Sequence, residues 1–299
     1  MFKALFQTFD DISERSRSAA RVLALRAELA RRQLDGMVVP RADRQQNEYL
    51  PACEERLAWL TGFTGSAGSA IVLTDSAAIF VDGRYTVQAK DQIDSAAFAI
   101  EHLSDTSPEA WLERQAKSGS RIGFDPWLHT SENAERLRAA CAKAGAELVA
   151  LDGNPIEALW TERPAPPSGP ATLRDIKFAG ESATDKLRRI RVELTKLRAD
   201  MLVVSDPQNV AWTFNIRGSD VTHTPLVLAF ALIGRDGKAT LYIDPGKADA
   251  GLRAALGELA DLRDTGQLEA DLAASKDKTV LLDSASAADA LTRIVKAAG

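Results

Sequence analysis

One run of elements can be read twice along this chain, and that duplication limits its folds more than any other feature. A helix-period stripe, a short apolar strand, a second helix, a glycine-containing turn and a hairpin occur in the same order on both sides of a proline-rich stretch. In the first copy, Val22, Leu25 and Leu29 fall at i, i+3 and i+7. Residues 36–40 then read as a buried strand, and 48–60 as a helix ending in Gly62-Phe63-Thr64-Gly65-Ser66-Ala67-Gly68. Segments 69–73 and 77–82 form a hairpin around Thr74-Asp75-Ser76. Helices at 88–93, 108–116 and 131–144 and strands at 98–102, 121–124 and 147–151 complete a mixed α/β unit. In the second copy, Ser182-Ala183-Thr184-Asp185 has the form of a capping box. Leu187, Ile190, Leu194 and Leu197 give the helical stripe, and strand 200–204, helix 208–214 and hairpin 226–233/239–244 follow. Two further helices flank a strand at 279–282. The expected fold class is therefore α/β, two tandem domains, each a mixed sheet flanked by helices.

Pro155, Pro164, Pro166, Pro167 and Pro170 mark the boundary, because proline fixes φ and disfavours helix in the residue before it. The expected organisation is a first domain over 1–155, a semi-rigid linker over 156–174 and a second domain over 175–299.

Charge and composition narrow the function. With 37 Lys+Arg against 42 Asp+Glu, the net charge of −5 supplies no positive field to gather nucleic-acid phosphates. No apolar run approaches the ~20 residues of a membrane-spanning helix. Residues 1–10 carry one lysine and a short Phe/Leu mix, with neither the apolar core nor the cleavage site of a signal peptide. Cys53 and Cys141 lie far apart and form no disulfide framework, so a reducing, cytoplasmic setting is expected. The three histidines, His102, His129 and His223, belong to no close-spaced ligand pattern, and no metal site is expected within the chain.

Gly62-x-x-Gly65-x-x-Gly68 lacks the spacing of a dinucleotide or Walker loop, and a strand rather than a helix follows it. Ser66 sits in no GxSxG elbow, and Cys53 beside Glu54 and Glu55 has its thiolate disfavoured by like charge. His223 lies in the loop Asp220-Val221-Thr222-His223-Thr224-Pro225, which suits either a hydrogen-bonded loop histidine or a catalytic one with a nearby acid. Phe80, Asp82 and Arg84 share one side at period-2 spacing, and Arg56 precedes Trp59 by about one helical turn. Arg56, Arg84 and Arg217 each admit two roles, an intradomain carboxylate pair or a bidentate clamp on a ligand carboxylate.

These motifs together resemble one family. Pro40-Arg41-Ala42-Asp43, Asn47-Glu48-Tyr49, Arg56, the Gly62–Gly68 turn and Asp82-Gly83-Arg84-Tyr85-x-x-Gln88-Ala89 resemble the N-terminal domain of Xaa-Pro aminopeptidases (aminopeptidase P), the three-domain form in particular. Leu159-Trp160-Thr161-Glu162-Arg163-Pro164 is similar to its linker. Phe178-Ala179-Gly180, Lys186-Leu187-x-x-Ile190-Arg191, Asn209-Val210-Ala211-Trp212 and Asn215-Ile216-Arg217-Gly218-Ser219-Asp220-Val221 are similar to its middle domain.

The resemblance implies two creatinase-type domains, normally preceding a "pita-bread" catalytic domain of about 200 residues, more than one ordinary domain length. That third domain holds two divalent metals, Mn or Zn, through two Asp, one His and two Glu. These 299 residues do not include it, so the expected role is that of a non-catalytic N-terminal part. The family's metals activate a hydroxide that attacks the bond before a proline at the second position of a peptide. Its N-terminal domains frame the entrance to the active site and help assemble homodimers. Motif position implies Arg56, Phe80, Arg84 and His223 for the face nearest the substrate, with no cofactor, nucleic-acid or membrane partner. A stand-alone binding module without peptidase activity is the alternative. A weaker one is an independent enzyme using His223.

Overall fold

A computed structural model describes residues 12–299; the 1–10 stretch and the expectation placed on it lie outside these residues. The first domain is built from α1 (Ser18–Arg31), β1 (Gly36–Pro40), α2 (Arg56–Thr61), β2 (Ser69–Leu73), β3 (Ala77–Val81), α3 (Thr86–Gln92), β4 (Ala99–His102), α4 (Pro108–Gln115), β5 (Arg121–Phe124), α5 (Ser131–Lys143), β6 (Glu147–Ala150) and α6 (Pro155–Leu159). Its sheet runs β4-β3-β2-β1-β5-β6, with β2 antiparallel to both neighbours and every other pair parallel. Period-2 alternation sorts the central strands onto two cores. Met37, Val39, Ala70, Val72, Ile79 and Val81 pack with Val22, Leu25 and Leu29 of α1 and Leu57 and Leu60 of α2. Val38, Ile71, Ala78 and Phe80 pack on the other face, against Trp111 and Leu112 of α4 and Leu137 and Ala140 of α5.

The second domain follows with β7 (Thr172–Leu173), α7 (Ile176–Ala179), α8 (Ala183–Lys196), β8 (Met201–Val204), α9 (Pro207–Phe214), β9 (Ile216–Arg217), β10 (Phe230–Gly234), β11 (Ala239–Tyr242), α10 (Ala250–Leu256), β12 (Ala260–Arg263), α11 (Leu268–Ala273), β13 (Val280–Leu281) and α12 (Asp289–Ala298). Its main sheet runs β12-β11-β10-β8-β13. The central β10 is antiparallel to both neighbours, and the two outer pairs are parallel. Strands β8, β10, β11, β12 and β13 thus repeat β1, β2, β3, β4 and β5 in order and sense. The duplication read from the sequence is a duplication of topology.

Local departures from the expected elements have identifiable causes. The helix expected over 48–60 begins only at Arg56. Asp43 holds the preceding chain in a loop, its Oδ1 accepting from the amides of Gln45 (3.0 Å) and Asn47 (2.9 Å), and Pro51 is extended (ψ 152°). The expected linker begins inside the first domain. Pro155 opens α6, Asn154 caps it by accepting from the Ile156 amide (3.0 Å), and Ile156 is buried in the first core. At its other end β7 pairs with β9 of the second domain. Strand 226–233 shortens to β10 because the Leu228 amide donates to Asp220 instead of a neighbouring strand. The C-terminal part carries α10 and β12 besides the expected helices and strand.

The two domains meet through backbone as well as side chains. The Asp289 amide donates to the His129 carbonyl (2.8 Å) and the Ala290 amide to Pro126 (2.9 Å). Trp127 lies edge-on to Phe230 (6.3 Å between centroids), and Arg44 stacks over Trp127 (3.7 Å) while pairing with Glu269 (2.9 Å).

Candidate functional site

Two of the singled-out motif segments, one from each domain, converge on a single cleft. From the first domain, the Asp43-centred loop delivers Asn47, Glu48 and Tyr49. From the second, Asp206 caps α9 by accepting from the Gln208 amide (2.7 Å), so that α9 presents Gln208, Ala211 and Trp212. Asn215 ends α9 in the left-handed region (φ 51°), and Arg217 follows in β9. The cavity between these segments measures about 430 Å³, and Val221, Thr224, Pro225 and Leu226 close its far side.

Each wall is held from behind. The Lys186 ammonium is buried and donates to the Trp212 carbonyl (2.8 Å) and to Asn215 Oδ1 (2.6 Å), which places a cation at the C-terminal end of α9. Burial pulls its pKa down, against the partly compensating field of Glu181. Arg217 Nη1 donates to the carbonyls of Ile216 (2.8 Å) and Ala211 (3.2 Å), which fixes the guanidinium beside α9. Behind the 218–226 loop, Lys247 and Asp220 form a buried ion pair (2.6 Å), and the Leu228 amide donates to the same Asp220 oxygen (2.7 Å). Two exposed rings, Tyr49 and Trp212, flank a fixed guanidinium and the exposed Glu48 carboxylate. Such a surface can stack on apolar peptide groups while pairing with charges of either sign.

The four expected substrate-face residues are not brought together. Arg56 is 3% exposed; it donates to Glu54 Oε2 (2.5 Å) and to Glu157 Oε1 (3.1 Å through Nε), and Arg163 bridges the same two acids at 2.9 Å each. Of its two possible roles, the intradomain pair is the one the side chain adopts. It borders a different inter-domain cavity, of about 520 Å³, with Arg44, Trp127 and Arg293. Phe80 has no exposed surface and meets Trp111 edge-on at 6.0 Å, a core position.

Arg84 is exposed and clasps Asp82 (Nη2–Oδ2 2.5 Å, Nε–Oδ2 3.0 Å), which holds the Asp82 carboxyl below the usual range. The Asp82 hydrogen bond is the main cause that raises the Arg84 pKa. The Glu48 field adds a smaller rise. His223 is exposed in a turn with φ 60°, bracketed by the Val221–Thr224 bridge, and both bracketing residues line the cleft. Among the described residues no hydrogen bond or ion pair ties its ring to an acid. None of the four lines the cleft itself; His223 sits in the turn between Val221 and Thr224, which do.

The glycine turn has a structural explanation. Gly62 sits at φ 81°, where a Cβ would come within 2.9 Å of the Arg15 nitrogen. Ser66 is tied to Tyr85, its Oγ 2.5 Å from the phenol oxygen. Cys53 is buried, and burial followed by the field of Glu54 pushes its thiol up. Among the described residues, no group of three His, Cys, Asp or Glu side chains is placed to hold a metal ion. The site thus offers recognition groups and no donor set for a catalytic metal.

The Creatinase/Prolidase N-terminal domain family matches the chain twice, over residues 21–159 and 162–299. A probable Xaa-Pro aminopeptidase P from Ajellomyces capsulatus (strain NAm1 / WU24) is 37% identical over 257 residues, which is 85% of this chain and 42% of that protein. A probable Xaa-Pro aminopeptidase P from Neurospora crassa is 35% identical over 262 residues, 86% of this chain and 38% of its own. Among solved structures, an X-prolyl aminopeptidase from Caenorhabditis elegans, described as a cytosolic enzyme with a di-nuclear active site, superposes with a TM-score of 0.87. It shares 26% identity and covers 93% of this chain and 48% of its own. The chain thus spans about two-fifths of the length of the curated relatives it matches.

Proposed function

Because the chain is a tandem pair of creatinase/prolidase N-terminal domains, homologous to the N-terminal part of Xaa-Pro aminopeptidase P, we propose that it acts as the substrate-framing, non-catalytic part of such a peptidase. The reaction assigned to the whole enzyme is metal-dependent removal of the residue preceding a proline, and the metals belong outside these residues. Mn or Zn would supply Lewis-acid polarisation and an activated water there.

The observation carrying the proposal is the convergence of Asn47-Glu48-Tyr49 and the Trp212–Arg217 segment on one amphipathic cleft. In this reading Tyr49 and Trp212 stack on apolar side chains of the peptide beyond its proline. Arg217 attracts carboxylates, and Glu48 repels a second acid at the same place. A cytoplasmic setting and a homodimer belong to the same proposal. The first is supported by the cytosolic description of the Caenorhabditis elegans relative, and no helix among the described residues is long and apolar enough to cross a membrane.

The test joins this chain to the remaining C-terminal portion of the Ajellomyces capsulatus relative and compares it with that portion alone. Release of the first residue from an X-Pro peptide is followed with Mn²⁺ or Zn²⁺ present. The proposal predicts that the joined protein has the higher kcat/KM. Equal rates would overturn it and favour a binding module.

A further inference from the structure

The inter-domain cavity of about 520 Å³ has no part in the function proposed above. It lies where the β6–α6 turn and loop 43–49 of the first domain approach α11 and α12 of the second. Its size is that of a small-molecule site. Three arginines, Arg44, Arg56 and Arg293, line it together with four acids, Asp125, Asp152, Glu157 and Glu269. The walls therefore carry both signs and little net charge.

Part of that charge is already committed. Arg56 is buried and engaged by Glu54 and by Glu157 Oε1, which also takes Arg163 (2.9 Å). Asp125 accepts from the Trp127 amide through Oδ1 and from Asn154 Nδ2 through Oδ2, both at 2.9 Å. Arg44 gives Nη2 to Glu269 (2.9 Å), and both of these side chains are exposed enough that the pair contributes little.

What is left has two poles. Among the described residues, Arg44 Nη1 donates no hydrogen bond, and the Arg293 guanidinium makes neither a hydrogen bond nor an ion pair, acting on Asp289 through its field alone. On the acid side, the Asp152 carboxylate is exposed and unpaired, and Glu157 Oε2 accepts nothing among the described residues. Arg44 is held ready. Its guanidinium stacks on Trp127 at 3.7 Å, and Gln46, at φ 60°, donates to the Trp127 carbonyl (3.0 Å), which fixes the loop against that residue. Leu128 and Ile294 add apolar lining beside the indole.

We propose that this cavity binds a small zwitterion, a free α-amino acid or a dipeptide, across the two domains. Its carboxylate pairs with Arg293 and Arg44 Nη1, its ammonium with Asp152 and Glu157 Oε2, and an apolar side chain lies against Trp127 and Ile294. The balance of signs selects this class. A dianion such as phosphate would meet the unpaired acids, and a simple amine would meet the unpaired guanidinium groups. Because Arg293 belongs to α12 and the other three groups to the first domain, the ligand bridges the domains.

Titrating the 299-residue protein with L-leucine tests the site, with the Trp127 indole N–H followed by NMR. Two analogues each lack one charge: L-leucinamide has no carboxylate and isocaproate has no ammonium. Leucine should bind saturably, and each analogue about tenfold or more weakly, the worth of one charge-assisted hydrogen bond. Arg293→Gln should erase the preference for leucine over leucinamide, and Asp152→Asn should reduce the preference over isocaproate. Both side chains are exposed, and the comparison of the three ligands in the parent protein stands whether or not the variants fold. No saturable shift at about 100 mM leucine overturns the proposal. Equal affinity for the three ligands also overturns it, as does an unchanged preference in either folded variant.

Discussion

Replacing Lys247 by Met should remove a large fraction of the stability of the second domain. The Lys247 and Asp220 side chains are 5% and 0% exposed, with Nζ and Oδ2 2.6 Å apart. At an effective dielectric of about 20, Coulomb's law gives roughly 6 kcal/mol of attraction at that distance, most of it offset by desolvation. Lys247→Met deletes the attraction and leaves Asp220 buried with one amide donor, from Leu228, and an Oδ1 that has no partner among the described residues. Breaking one side of such a pair costs about 3–5 kcal/mol, against a typical stability of about 5–15 kcal/mol. At about 4 °C per kcal/mol for a domain of this size, the midpoint should fall by roughly 12–20 °C. Trp212 is the sole tryptophan of the second domain, so ¹⁹F NMR of fluorotryptophan-labelled protein follows its unfolding separately. Lys247→Met with Asp220→Asn keeps an acceptor for Leu228 and removes the stranded charge, so about 2 kcal/mol or more should return. A single-variant cost below about 1 kcal/mol, or fully additive costs in the double variant, would refute the reasoning.

His129 is fully buried at the domain junction, its Nδ1 2.6 Å from Asn133 Oδ1, and burial pushes its pKa down. The unfolded chain titrates near the usual value of about 6.5, so below that pH it binds a proton that the folded protein refuses, and stability is lost as the pH is lowered. In His129→Gln, the slope of stability against pH between about 6.5 and 5 should be shallower than in the parent, by at most about 1.4 kcal/mol per unit. An unchanged slope in urea titrations would contradict this. Cys141 is buried with its thiol pushed up to about 11 by burial, and Cys53 is raised for the same reason with help from Glu54. Both thiols should react with an aromatic disulfide reagent at pH 7.5 only after denaturant is added. A fast native reaction would contradict that burial.

The repeated order of elements was legible in the sequence because each copy carries its own stripe, strand and hairpin pattern. Leu187 and Leu194 are buried where the stripe put them, although Leu197 is exposed at the end of α8. Ser182 caps α8 through the Asp185 amide (3.1 Å), as its spacing suggested. Less was legible where long-range partners decide. The acid that occupies Arg56, Glu157, lies 101 positions away, and no local pattern announces it. Phe80 keeps the period-2 alternation with Arg84 only as far as β3, after which the chain turns at Gly83 and the two side chains part. The helix expected from residue 48 starts only at Arg56, because the Asp43 turn that holds the preceding loop needs only one buried carboxylate and leaves no periodic signal. Tyr49 carries a weak signal in retrospect, as the one ring in the polar run 43–49, whereas Trp212 lies among the apolar residues of α9, and the fold alone brings the two to one cleft.

The most direct test of the central claim, that this inter-domain cleft frames the peptide, is kcat/KM for an X-Pro peptide in the joined enzyme carrying Tyr49→Ser and Trp212→Ala together. Loss of two stacking contacts of about 0.5–1.5 kcal/mol each predicts a fall of roughly 5- to 150-fold, expressed mainly in KM. An unchanged kcat/KM in a correctly folded double variant would contradict the account.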